Sequence, residues 1–219
     1  MWRIGRITSE YRDRMYGLRG LYARPYDARE PVVCADEKSR QLIRQTRAPI
    51  AVEPGRCAHE DYEYRRNGTG NLFVAIEPKG KRRSVEVAAR RTKVDFVAFV
   101  QHLVGTVYAT AIMIHIVLDN LNTHFRQTFV DVLGEPAAAL LLERVEFHYT
   151  PKHASWLNMA EIEIGIMDRQ CTARRIAAAE LLEAEVGQLQ QRRDAAGRGI
   201  EWKFTRQDAD RKLCRHYVS

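Results

Sequence analysis

A mixed α/β sandwich, with helices packed on a central sheet, is the fold class that this 219-residue sequence predicts. Three observations predict it. Segments of strand and helix character follow one another in the order strand, hairpin, helix, strand, helix, strand, helix. Two of the apolar strands, VVCAD and IMIHIVLDN, run into an aspartate. Internal repeats and low-complexity stretches are absent, so one domain is expected.

Residues 8–20 read as a short amphipathic helix rich in arginine, and Pro25 and Pro31 bracket the connector after it. VVCAD (32–36), small and β-branched and closed by an acid, is expected to be a buried strand. From Gln41 to Arg65 the sequence reads as irregular, with Pro49, Pro54 and Gly55. The turn residues NGTGN (67–71) lead into a second strand, LFVAIE (72–77), and PKG (78–80) turns the chain into RRSVEVAAR, whose alternation suggests an antiparallel partner. Val97, Val100, Val104 and Val107 recur at helical spacing within 93–109. IMIHIVLDN (112–120) is a strongly apolar strand, followed by helices at about 123–133 and 136–143. VEFHY (145–149) is the next strand. After the loop TPKHAS, a long helix is expected from Trp156, and an amphipathic one over 178–194. The last twenty residues read as a basic appendage.

The chain holds 35 Lys and Arg against 28 Asp and Glu, a formal charge of +7, which favours polyanionic partners such as DNA and RNA. From Lys79 to Lys93 there are seven basic residues and one acid, a run that usually forms a solvated edge and in which Lys81, Arg82 and Arg83 are also candidates to track a phosphate backbone. The four cysteines are far apart and form no CxxC pair, as expected of reduced thiols; Cys57 and His59 resemble half a metal site with no second half. No apolar run has signal-peptide length or the roughly 18 residues of a membrane span, so a soluble protein with no membrane partner is expected.

Asp36 and Asp119 each close an apolar strand, at the sheet edge where ligands bind in open α/β folds. A third acid lies inside the apolar stretch SWLNMAEIEIGIM (155–167), which carries Glu161 and Glu163. Three converging carboxylates need a cation between them, and hard oxygen ligands select Mg²⁺ or Mn²⁺. A pair of such ions suits phosphodiester cleavage. On a helix, residues two apart point about 200° away from each other, so the two glutamates cannot share a site. Glu161 falls on the face of Asn158 and Gly165, whose missing side chain would allow close approach, whereas Glu163 falls on a packing face.

VVCADEKS (32–39), LDNLNTH (118–124) and FHYTPKHASWLNMAE (147–161) resemble the DDE transposases of bacterial insertion sequences related to the mariner group. DYEYRRNGTGNLFVAIEP and the tail IEWKFTRQDADRKLCRHY support the resemblance, which covers nearly the whole chain. It implies a ribonuclease H-like mixed central sheet with helices on both faces. Asp36, Asp119 and Glu161 would hold two divalent ions, Mg²⁺ or Mn²⁺, to hydrolyse a strand at the element's end and join the freed 3′-OH to target DNA. Asn122, His124 and Asn158 are the candidates to support the site; Asn122 and His124 would orient water or phosphate, unless His124 only starts the next helix. Lys152, His153 and Trp156 are the candidates to touch DNA in the loop before the third acid; Trp156 would either stack on a base or lie in the core. The implied partners are terminal inverted repeats, target DNA, a second copy of the chain and a separate helix-turn-helix protein from an upstream frame, in a cytoplasmic, nucleoid-associated setting. The implied division is a helical lead-in at 1–30, a catalytic domain at 31–195 and the basic appendage at 196–219. Asp194 and Asp210 depart from the family pattern. A decayed remnant that binds DNA without transposition is the alternative expectation.

Overall fold

The computed structural model describes residues 6–47, 50, 54–55, 62–121 and 124–218. Among these residues, five strands, β1 (Val32–Gln45), β2 (Tyr64–Glu77), β3 (Arg82–Ala88), β4 (Ile114–Leu118) and β5 (Val145–Tyr149), form one sheet in the order β3-β2-β1-β4-β5. β1, β2 and β3 pair antiparallel, and β4 and β5 run parallel to β1. That order and direction is the ribonuclease H-like arrangement the resemblance implied.

The sheet is covered on both faces. One face packs Val33, Ala35, Phe73 and Ala75 under α2 (Lys93–His102), α3 (Arg126–Leu133) and α4 (Glu135–Leu142), through Phe96, Phe99, Phe129 and Leu142. The other packs Cys34, Ile76 and Val117 under α1 (Ser9–Ala23), the start of α5 (Ala160–Met167) and α7 (Arg206–Leu213). Alongside, Leu42, Leu72 and Val74 meet α5 and α6 (Ala179–Ala195). Strand alternation therefore assigns each side chain of β1 to a layer: Cys34, Asp36 and Lys38 to the α5 side, Ala35 and Glu37 to the α2 side.

Three sequence expectations need correction. β1 does not stop at Asp36, and residues 41–45 are strand, not irregular chain. NGTGN is likewise part of β2 and not a turn. There, β1 and β2 continue past the packed sheet as a two-stranded ribbon whose β2 half is exposed from Tyr64 to Thr69. Backbone ladder bonds hold this ribbon with Leu42 as its one buried apolar side chain, so it leaves no repeating hydrophobic pattern to read. Its register shifts between Gln41 and Ile43, opposite Gly68, whose φ of 86° is the left-handed conformation that a bulge uses. Gly68→Ala is expected to destabilise the protein by about 1–2 kcal/mol in chemical denaturation.

The third correction concerns the helix after TPKHAS. It is not long: a single 3₁₀ turn (Ser155–Leu157) precedes the eight-residue α5, which loosens into a π-helical turn at Asp168–Thr172. The C-terminal tail is bound into the α1 layer. Ile7 N–H donates to His216 O at 2.8 Å and Val218 N–H to Ile7 O at 3.0 Å. Asp210, one of the departures from the family pattern, accepts from Tyr217 Oη at 2.9 Å and from Tyr16 Oη, tying α7 to α1. No helix of the described residues is long and apolar enough to cross a membrane.

Candidate active site

The parallel pairing of β1 with β4 ends at Cys34 and Val117, one residue before β4 itself ends at Leu118. β1 continues, so Asp36 projects where β4 has given way to Asp119, and both acids meet at one sheet edge. The sequence pattern placed Asp36 at a strand end for the wrong reason: the end is that of its neighbour. On β1 the residue is internal, opposite Val74 of β2.

Glu161 comes to the same place through Asn158, which is fully buried. The Asn158 amide donates to Ala35 O at 2.8 Å, and its Oδ1 accepts from Ala160 N–H at 3.1 Å. This side chain pins the start of α5 to β1 beside Asp36. Ligand oxygens of Asp36, Asp119 and Glu161 all lie within 4.8 Å of one another. Thr150 Oγ1 donates to Asp119 Oδ1 at 3.0 Å, fixing that carboxylate, and Glu37 N–H donates to Asp36 Oδ1 at 2.8 Å.

Burial first of all, reinforced by the Asp119 and Glu161 carboxylates, pushes Asp36 up from 3.8 to about 7, against the opposing pulls of Glu37 N–H and His124. Burial likewise raises Glu77, at the far end of β2, to about 7. The unfolded chain sheds such protons near pH 4, whereas the folded one keeps them until about pH 7. The native state therefore binds more protons between those values, and stability falls as pH rises through the window. With chelator present, thermal melts are expected to give a Tm several degrees lower at about pH 7.5 than at about pH 5.5, and Asp36→Asn to flatten that slope.

His124 is at the site but not in the role expected of it. Its ring is fully buried, with Nδ1 3.0 Å from Asp119 O, Nε2 3.0 Å from Glu37 Oε1, and Phe96 against its face at 4.5 Å. Both nitrogens are engaged by protein, so it orients no water or phosphate. It clamps the backbone of Asp119 to Glu37, whose carboxylate also meets Arg91 Nε at 3.3 Å. Asn122 lies outside the described residues, as do Cys57 and His59.

Other expected DNA contacts divide. Lys152 and His153 are exposed in the loop after Thr150, beside the site, on an open cleft shared with Arg6, Arg14 and Asn120. Lys81 and Arg82 are exposed but stand two strands away, towards the opposite end of β1, with Arg82 over the Tyr108 ring at 5.4 Å. Arg83 must be withdrawn as a DNA contact. It is 2% exposed, and its guanidinium donates to Lys81 O (3.1 Å), Arg198 O (2.6 Å) and Asp194 Oδ1 (3.2 Å). Trp156 is withdrawn as a base-stacking residue, because its ring stacks on Trp202 at 6.4 Å and meets Phe204 edge-on at 5.4 Å within the α1 layer.

Glu163 explains how a second acid fits the apolar stretch. It is 2% exposed, takes a bidentate grip from Arg193 at 2.6 and 3.0 Å, and has Arg83 Nε 3.0 Å from Oε1 at an angle too poor for a hydrogen bond. Asp194, the other departure from the family pattern, completes this network from a partly exposed position. Gly165 gives no close approach, since a side chain there would meet only Arg169 at 3.5 Å. One pair went unnoticed in the sequence: Lys38, two residues on from Asp36, binds Asp168, seven residues on from Glu161. Those spacings repeat the strand and helix periods and were the available signal.

Residues 31–183, well over half of the chain, match the family model described as DDE superfamily endonuclease. Among solved structures, the chain is similar to the Mos1 strand transfer complex at 15% identity and a TM-score of 0.39, covering 94% of this chain and 67% of that one. It is also similar to the Mos1 mariner paired end complex with Mn, at 16% identity and a TM-score of 0.35, covering 90% and 67%. No curated protein matches it.

Proposed function

The chain belongs to the DDE superfamily endonuclease family, and on that premise we propose that it is the catalytic part of a transposase, cutting DNA strands at insertion-sequence ends and joining them to target DNA. The observation that carries this reading is the convergence of Asp36, Asp119 and Glu161, from β1, the end of β4 and α5, within 4.8 Å. These residues offer oxygen alone, the donor set of Mg²⁺ or Mn²⁺, and Asp36 is pushed up first by burial and then by the Asp119 and Glu161 carboxylates beside it. The residues therefore fit a divalent-metal centre. Ions held there would supply Lewis-acid stabilisation of the charge that develops on phosphate oxygens in an in-line displacement.

The chain's own residues do the positioning. Asn158 holds α5 against β1, Thr150 holds one oxygen of Asp119 and so sets the direction of the other, and the Glu37–His124 clamp keeps the Asp119 backbone in place. Lys152 and His153 flank the site from the Thr150 side, where basic groups would meet the DNA backbone, in keeping with the formal charge of +7. Assembly as a dimer on DNA, and a separate helix-turn-helix protein to read the element's ends, are parts of the same proposal.

The test is nicking of DNA that carries the element's terminal repeats, with Mg²⁺ or Mn²⁺ against chelator. Metal-dependent strand breaks at the repeat ends support the reading. DNA binding without metal-dependent breaks would replace it with that of a remnant that retains only the fold and the basic surface.

A further inference from the structure

A second group of ligand-type side chains lies on the same sheet face as Asp36, towards the opposite end of β4. His115 of β4 pairs in register with Glu146 of β5, and His148 pairs with Val117. Residues 115 and 117 share a face, as do 146 and 148, so all three polar side chains project together on the α1 side of the sheet. β5 is the edge strand, and there the cluster passes from buried to open: the side chains of His115, His148 and Glu146 are 5%, 23% and 56% exposed.

One ligand atom from each of the three lies within 4.8 Å of the others, close to the spread of a coordination sphere. His115 Nδ1 lies 3.0 Å from His148 Nε2 and 3.2 Å from Glu146 Oε2, and His148 Nε2 lies 3.7 Å from Glu146 Oε1. A tetrahedral zinc ion with bonds of about 2.0–2.2 Å keeps its ligand atoms roughly 3.3 Å apart. We propose that His115 Nδ1, His148 Nε2 and a Glu146 carboxylate oxygen form a zinc site with one open position, separate from Asp36, Asp119 and Glu161. Two imidazoles suit Zn²⁺ and not Mg²⁺, so ligand chemistry keeps the two centres distinct.

The surroundings match. Burial, with His115 and Arg24 adding to it against the pull of Glu146, holds His148 below the ordinary histidine value, so near neutral pH its ring offers a lone pair. Coordination through His115 Nδ1 leaves the proton on Nε2, with the Glu30 carboxylate 3.8 Å away, a short shift from accepting it. Arg24 competes, since its Nη1 is 3.0 Å from that same Nε2 and two donors cannot face each other. Metal binding turns this exposed arginine away towards Glu30. The site would join β4 to β5, the two strands that deliver Asp119 and the Thr150 that holds it.

The experiment uses the full chain carrying Asp36→Asn and Asp119→Asn, stripped with chelator, so that ions at the carboxylate site are not counted and failure of either reading shows separately. Co²⁺ is titrated by its visible absorption and then displaced by Zn²⁺. One equivalent is expected to bind, to yield to Zn²⁺ and to resist millimolar Mg²⁺. His148→Ala and Glu146→Gln should each weaken binding by about tenfold or more, and Arg24→Ala should tighten it. Glu146→Gln keeps both rings and changes an exposed edge position, so it reports even where His148→Ala does not fold. Absence of Co²⁺ uptake, or uptake unchanged by Glu146→Gln or His148→Ala, overturns the proposal.

Discussion

Asp119→Ala is expected to lower Mg²⁺- or Mn²⁺-dependent nicking by about 10³-fold or more, to the level of DNA without protein. Each tenfold corresponds to about 1.4 kcal/mol of barrier, and loss of one ligand from a metal centre that stabilises several kcal/mol of developing charge suffices. The fold should survive, because Asp119 is half-buried at the sheet edge and, among the described residues, its side chain accepts one hydrogen bond, from Thr150. Glu161→Ala should behave alike, since Glu161 is exposed in the first turn of α5. Asp36→Asn adds a diagnostic contrast. Nicking should vanish while metal-free stability near neutral pH rises, because a group whose folded value is pushed up to about 7 opposes folding once ionised. Nicking that persists in all three variants would sink the active-site assignment.

Glu163→Ala should instead cost about 3–5 kcal/mol of stability, a fall in Tm on the order of 10 °C, read in thermal and urea unfolding. Arg83 is 2% exposed, and without Glu163 its charge keeps only Asp194 and two carbonyls. A buried charge that loses one of its two carboxylates is more costly than the absence of the pair. Removing both partners, as Arg83→Met with Glu163→Leu, should recover most of the loss, and the double-mutant cycle would measure the coupling. A drop no larger than that of Glu161→Ala would show the network to be incidental. Two glutamates two residues apart thus have opposite signatures, one read in catalysis and the other in stability.

β3, β4, β5, α4 and α6 were legible because a buried face imposes its period on the local sequence, and VEFHY spans the observed β5 without error. The outer half of β1 was not, since its ribbon is held by backbone bonds with β2 and buries little. The acid triad was legible from apolar strands running into acids and from the long block at 147–161. What converges with it was not. His124 could be named from its closeness to Asp119, but only the fold put Glu37 at its other nitrogen and Phe96 on its face.

Residue order along the chain is enough to tell which segments bury a face, which residue types meet at the site and to which family the chain belongs. Which polar residues are surface and which are interior depends on the packing of separate elements. Arg83 in a basic run and Trp156 in a DNA-facing loop read as contacts for a ligand, yet Glu163 and Asp194 enclose the first and Trp202 and Phe204 the second. Their partners lie dozens of residues away along the chain. A periodic pattern records whether a side chain faces inward along its own element, whereas the partner of a buried charge or ring is set by how separate elements pack.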